Sequence, residues 1–111
     1  MHPLQELIGS NGQKHDRGIY SCCSANEYVL KAALERGSET GTYVLIEATA
    51  NQVNQCGGYT GMTPMDFMGY VRALARDCCF PEDRLLLGGD HLGPLTFAAL
   101  PEAEAMKKAV A

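Results

Sequence analysis

Apolar and polar positions along this chain change rhythm several times. Gly18-Ile19-Tyr20-Ser21-Cys22-Cys23 is short and rich in β-branched, aromatic and small apolar residues, which predicts a strand. Ser24 follows with Glu27 three residues on, the spacing of a capping box whose side chains satisfy backbone N–H groups of a first helical turn. That helix carries Val29, Leu30, Ala33 and Leu34 on one face, and Gly37 and Gly41 close it. Tyr43-Val44-Leu45-Ile46-Glu47 is apolar until its last residue, as suits a parallel strand buried on both faces. A long polar loop runs from Ala48 to Met62. Thr63 then reads as an N-cap, with Pro64 at the first helical position and Asp66 at the third, and Phe67, Tyr70, Val71, Leu74 and Ala75 form the apolar stripe. Pro81 and the acidic Glu82-Asp83 turn lead into Arg84-Leu85-Leu86-Leu87-Gly88, a third buried strand, and Gly89–Pro94 is the loop behind it. Pro101–Ala111, rich in Ala, Glu and Lys, predicts a last helix.

The order is β-α-β-α-β-α, with strand starts near residues 18, 43 and 85 bracketing the ~30 residues of a βαβ unit. Such alternation predicts a parallel sheet with right-handed crossovers. Residues 1–17 form a mixed, polar N-terminal extension in which Gly9-Ser10-Asn11-Gly12 breaks any helix begun at Leu4–Ile8, and residues 18–111 hold the β/α units.

Composition narrows the function classes. The net charge is −4 and no Lys/Arg cluster offsets it, which argues against nucleic acid or an anionic membrane surface as partner. No apolar run approaches the ~18 residues of a membrane span, and the first residues lack the apolar core of a signal peptide. Cys22, Cys23, Cys56, Cys78 and Cys79 are odd in number and show none of the C-x2-C zinc spacings. They read as reduced thiols of a cytoplasmic protein used as small, buried hydrophobes, with regulatory oxidation of a neighbouring pair as the alternative.

In parallel α/β folds, functional residues gather in the loops after the strands' carboxyl ends. Gly88-Gly89-Asp90-His91 is the sharpest signal: an Asp moves a proton, a neutral His binds zinc, and the two glycines permit the bend that turns both side chains to one pocket. Asp90 capping a turn while His91 packs on the rim is the structural alternative. In the Ala48–Met62 loop, Asn51, Gln52, Asn54 and Gln55 donate and accept hydrogen bonds, which suits a polyhydroxylated ligand. Gly57, Gly58 and Gly61 let backbone N–H groups approach a phosphate, although the spacing matches neither the P-loop nor G-x-G-x-x-G; a solvated loop is the alternative. Glu47, a carboxylate ending an apolar strand, must face the mouth or find a partner. Ser21, Cys22, Cys23 and Ser24 lack a companion His and Asp at a recognisable spacing, which argues against a nucleophile there.

YVLIEATANQVN (Tyr43–Asn54), GGYTGMTP (Gly57–Pro64) and LLGGDHLGP (Leu86–Pro94) closely resemble the non-catalytic subunit family of class II tagatose-bisphosphate aldolase, and GIYSCCSA (Gly18–Ala25) matches its first strand and turn. The resemblance implies a TIM (β/α)8 barrel, of which this chain is the N-terminal portion of about three β/α units. It also implies an accessory subunit that supports the stability and activity of a catalytic aldolase subunit in galactitol, N-acetylgalactosamine and tagatose catabolism, with a sugar phosphate as ligand. By position, the resemblance assigns Asp90 the acid/base role and His91 a metal-ligand role, with zinc in the full-length protein and none for this stretch alone. Retro-aldol chemistry by the full-length chain, as a metal-dependent ketohexose-6-phosphate 4-epimerase or aldolase, is the alternative. The kinase label some members carry finds no ATP-phosphate cradle in this sequence.

A TIM barrel takes ~250 residues, and a catalytic zinc site normally takes three protein ligands. His91 is the sole His after the first strand, His2 and His15 preceding it, so this stretch alone is expected to be inactive. Three parallel strands with an unpaired edge are expected to expose the Val44–Ile46 and Leu85–Leu87 surfaces. The product is therefore expected to self-associate, and size-exclusion chromatography showing a stable, dilute monomer would contradict this.

Overall fold

The computed structural model describes residues 2–10 and 17–111. Their order is α1 (Pro3–Ser10), β1 (Ser21–Cys23), α2 (Glu27–Thr40), β2 (Val44–Thr49), α3 (Pro64–Asp77), β3 (Leu85–Asp90) and α4 (Glu102–Ala109), with single 3-10 turns at Glu82–Arg84 and Pro94–Phe97. The strands form a three-stranded sheet in the order β1-β2-β3, parallel throughout. Ser21 pairs with Leu45 and Leu45 with Leu86, while Cys23 pairs with Glu47 and Glu47 with Gly88. α1 lies at the amino ends of the strands, where Leu4 and Leu7 line a cavity of about 430 Å³ with Ile19, Tyr43 and Leu86. His2 is at that end, its Nδ1 accepting the Leu4 N–H at 3.2 Å, while His15 lies outside the described residues.

One face of the sheet carries the core. Along β2, buried Val44, Ile46 and Ala48 alternate with half-buried Leu45, Glu47 and Thr49, as the two-residue period of a strand requires. The buried set meets Leu30, Ala33 and Leu34 of α2 and Phe67, Val71, Leu74 and Ala75 of α3. Complete burial of Leu30, Leu34 and Ile46 contributes about 1.5–3 kcal/mol each. Among the described residues no polar or charged side chain is buried with them. The sheet face of Leu45, Glu47 and Thr49 is therefore the polar one, and it is open.

Helix ends follow local chemistry. Thr63 caps α3 as its pattern predicts: its hydroxyl accepts the Asp66 N–H at 3.3 Å, and Asp66 Oδ2 accepts the Thr63 N–H at 3.0 Å and hydroxyl at 2.8 Å. α2 begins two residues later than the Ser24 reading placed it. Asn26 is the cap because its Oδ1 accepts two orphan N–H groups, those of Tyr28 at 2.9 Å and Val29 at 3.2 Å, whereas Ser24 Oγ accepts only the Asn26 N–H. Val29 faces outward, and Gly37 joins Leu30, Ala33 and Leu34 in the buried stripe. Gly37 thus lies inside the helix, and Gly41, left-handed at φ 67°, ends it. α1 reaches Ser10, through the Gly9-Ser10 break expected there.

Three further expectations are corrected. β2 is buried on its helix side only, so Val44 and Ile46 are covered rather than exposed. β3 is not a buried strand: Leu87 is 36% exposed, because β3 is the sheet's outer edge and α4 packs on the Pro94–Phe97 turn instead of lying over it. The cysteines are not buried either. Cys22 and Cys78 are half-buried, and Cys23, Cys56 and Cys79 are exposed, since β1 is an edge strand and the other three occupy turns.

Two expected outcomes follow from this packing. A Cβ on Gly37 would run into the Val44 side chain and lie 3.1 Å from Phe80, so helix and strand approach only across a bare Cα. Overpacking of about 1–3 kcal/mol should exceed the ~1 kcal/mol gain in helix propensity, and Gly37→Ala should lower the midpoint of urea unfolding; a raised midpoint would contradict the close approach. The hydrogen bonds from Thr63 hold the Asp66 carboxyl below the usual carboxylate range. Because the folded value is the lower one, this stabilisation is complete above the unfolded value near pH ~4 and disappears as pH falls through the folded one. Urea titrations at several pH values should show a flatter acid limb in Asp66→Asn than in the parent; identical limbs would contradict the capping box.

Candidate functional site

The carboxyl ends of the three strands bring together residues distant in sequence. Parallel register sets Ser21 and Cys23 of β1, Glu47 and Thr49 of β2, and Gly88 and Asp90 of β3 on the same, open face of the sheet. Ser21 Oγ donates to Glu47 Oε2 at 2.8 Å, so the carboxylate that had to face the mouth or find a partner does both. A Cβ on Gly88 would lie 3.1 Å from Glu47 Oε1, and one on Gly89 would lie 2.8 Å from Leu92 Cδ1. These glycines therefore make room for neighbouring side chains within β3. The bend comes later than the sequence reading put it, at His91 itself, whose φ is 50°.

Asp90 Oδ1 accepts the His91 N–H at 3.0 Å, so the aspartate caps the turn that follows its own strand. Oδ2 lies 3.8 Å from His91 Nε2, and the imidazole is 82% exposed rather than packed on a rim. Asp90 also acts on Cys23 electrostatically. Burial first, then Asp90 as hydrogen-bond acceptor and negative charge, then the Glu47 and Cys22 charges, push the Cys23 thiol up. It holds its proton and is a poor nucleophile. Sequence reasoning set Ser21 and Cys23 aside when it found no nucleophile; the signal for them was their shared parity in β1, legible only once the register to Glu47 is known.

The loop after β2 leaves from Thr49, which pairs with Asp90, and so borders the same site. Two of its amides serve the loop itself. Asn54 donates to Ala50 O at 2.8 Å and accepts from Cys56 N at 2.8 Å and Gly58 N at 3.2 Å. Gln52 Oε1 accepts the Thr49 N–H at 2.9 Å, and the Gln52 carbonyl accepts from Thr60 Oγ1 at 2.6 Å. The Gly57 N–H donates to Asn54 O at 2.8 Å and the Gly61 N–H to Gly58 O at 3.3 Å, so all three glycine N–H groups considered for phosphate are engaged within the loop. Gly58 is required for shape: at φ 57°, a Cβ there would collide with the Gln52 carbonyl. Asn51 is exposed beside these fixed residues, and its carbonyl accepts the Tyr59 N–H at 2.9 Å. Gln55 reaches across to the Lys108 carbonyl of α4.

The assembled groups are two carboxylates, a hydroxyl, a protonated thiol and an exposed imidazole around an open, polar floor. Such a set can accept protons from, and hydrogen-bond to, a polyhydroxylated molecule. Among the described residues no three His, Cys, Asp or Glu side chains are grouped to hold a metal ion. A zinc centre on His91 does not fit this donor set by itself.

A family model described as D-tagatose-1,6-bisphosphate aldolase subunit GatZ/KbaZ-like matches residues 4–111. Among solved structures, a probable tagatose 6 phosphate kinase from Sinorhizobium meliloti 1021 is 57% identical and superimposes with a TM-score of 0.81 over 84% of this chain. This chain spans 24% of the length of that protein. Its parallel strands with helices on one face match the N-terminal part of a TIM-barrel-like domain, the open polar face corresponding to a barrel interior. By the family match over nearly its whole length, the chain belongs to the GatZ/KbaZ-like family of D-tagatose-1,6-bisphosphate aldolase subunits.

Proposed function

We propose that this chain is part of an accessory subunit of a class II tagatose-1,6-bisphosphate aldolase, which stabilises the catalytic subunit in galactitol, N-acetylgalactosamine and tagatose catabolism. The observation that carries the reading is the family match over residues 4–111. The geometry supports it in two ways. The strand ends bring Glu47, Asp90 and His91 together at the mouth, where their polar atoms could hold a polyhydroxylated molecule. The edge of β3, with Leu87 part-exposed, is a surface that further strands or a partner would cover.

Within that subunit a sugar phosphate would lie on the open face, its hydroxyls against Glu47 and the Asn51–Gly58 loop, with Asp90 as the group able to take or return a proton. Zinc, if the whole protein uses it, would draw His91 together with ligands outside this stretch. A cytoplasmic location goes with the sugar-phosphate reading. No helix among the described residues is long and apolar enough to cross a membrane.

The test is to mix this chain with the catalytic aldolase subunit and follow thermal unfolding and the decay of activity. Binding to the folded partner at a hundredfold excess over Kd contributes about 2.7 kcal/mol, which for a barrel of ~250 residues corresponds to a Tm rise of several degrees. An unchanged Tm and unchanged activity would overturn the proposal. Epimerisation or cleavage of ketohexose phosphates by the full-length protein without the catalytic subunit, lost in Asp90→Ala, would replace it with the enzymatic reading.

A further inference from the structure

We propose that the outer edge of the sheet is a pairing surface for a second copy of this chain, with β3 of one copy antiparallel to β3 of the other about a two-fold axis at Leu87. The proposal does not rest on the accessory-subunit reading. It goes beyond a general tendency to self-associate by assigning one register and one ion pair.

β3 runs over six residues, Leu85–Asp90, and its outer side pairs with no strand among the described residues. Alternate backbone N–H and C=O groups along that side are therefore open to another chain. The Glu82–Arg84 turn bounds this edge on one side and the left-handed His91 on the other. Beside it, on the helix face, a groove of about 350 Å³ lies between β3 and α3. Phe67, Met68, Leu87 and Leu92 are among its lining residues, none of which is charged. Edge and groove are continuous through the part-exposed Leu87. β1, at the other edge, offers only three residues.

The sequence of the edge selects the register. Directly opposed residues of an antiparallel pair share a face, so a strand pairing with itself does so about a residue. About Leu86, Glu82 falls toward Asp90 and sets like charges together. About Gly88, Leu86 falls opposite Asp90. About Leu87, Arg84 falls opposite Asp90, Leu85 opposite Gly89 and Leu86 opposite Gly88. Of these registers only the last sets opposite charges together, twice by symmetry, and gives each of these leucines a partner without a side chain. On the helix face Leu87 then meets its own copy beside the groove. Arg84 is exposed and makes no ion pair among the described residues, so its guanidinium is available to a second copy. The Asp90 side chain is part-exposed, with Oδ1 accepting the His91 N–H. A two-fold contact of this kind closes at two copies, whereas β3 on β1 would repeat head to tail without closing.

The test is sedimentation of the intact chain across a range of concentrations, where a monomer–dimer equilibrium is expected. Leu87→Lys places two like charges on the axis, at a position already part-exposed, and should leave a monomer. Arg84→Asp and Asp90→Arg should each raise the dimer dissociation constant about tenfold, because either change turns both ion pairs into like-charge pairs. Combining Arg84→Asp with Asp90→Arg restores the pairs with their signs exchanged and should return the constant toward that of the parent. Amide hydrogen exchange adds a second readout: amides of β3 should gain protection as the parent dimerises, and those of β1 should not. Arg84, Leu87 and Asp90 are outside the core, so the variants keep the fold, and circular dichroism checks it. A monomer at every concentration would overturn the proposal, as would assemblies that grow beyond two copies or a dimer that survives Leu87→Lys. A dimer that the single charge variants leave unchanged, or that the double variant fails to recover, would overturn the register. A chain that is monomeric by itself and gains β3 protection only with the catalytic aldolase subunit would assign the edge to that partner instead.

Discussion

The structure depends on the central strand having two different faces. Among the described residues, β2 is the strand with a neighbour on each side, and its register determines where every residue of β1 and β3 lies. Val44, Ile46 and Ala48 bind α2 and α3 to one face through apolar burial. The same two-residue alternation leaves Leu45, Glu47 and Thr49 on the other. A slip of one residue would exchange the two sets, moving a carboxylate into the core and an isoleucine into the mouth. Core stability and site chemistry are thus consequences of one pairing.

Features that act within a few residues were legible in the sequence. Thr63, Pro64 and Asp66 satisfy one another inside a single helical turn, and the pattern named all three correctly. Phe67, Val71, Leu74 and Ala75 likewise follow from helical spacing. Ser24 and Asn26 show where local reasoning fails: both are plausible caps, and the choice depends on which oxygen reaches more N–H groups, a matter of coordinates. The exposure of β3 was illegible for a different reason. An apolar run states what a strand is able to bury, and only the placement of α4 states whether anything covers it.

The site divides along the same line. Motif reasoning located Glu47, Asp90, His91 and the amide-rich loop, all of which border the strand ends. It did not foresee that Asn54 and Gln52 are occupied in shaping the loop, because a side chain's partners two to four residues away depend on the turn it makes. Nor did it foresee the Ser21–Glu47 contact, which spans 26 residues and exists only through the parallel register. The bend at His91 differs again: the glycines before it suggested a hinge, yet they serve as clearances for Glu47 and Leu92. The backbone turns at a residue whose left-handed conformation is less common but tolerated for histidine.

The order β1-β2-β3 in space repeats the order in sequence, and this has a consequence for how the chain is made. Each strand pairs with the one synthesised just before it, and each crossover helix packs on the strands it joins. A ribosome releasing the chain from its amino end would therefore never present a strand whose earlier partner is still missing. β1, α2 and β2 can close their core while α3 is still being translated, and β3 adds to an edge already formed. Growth of the sheet by one edge at a time keeps the entropic cost of each loop closure to that of a single crossover.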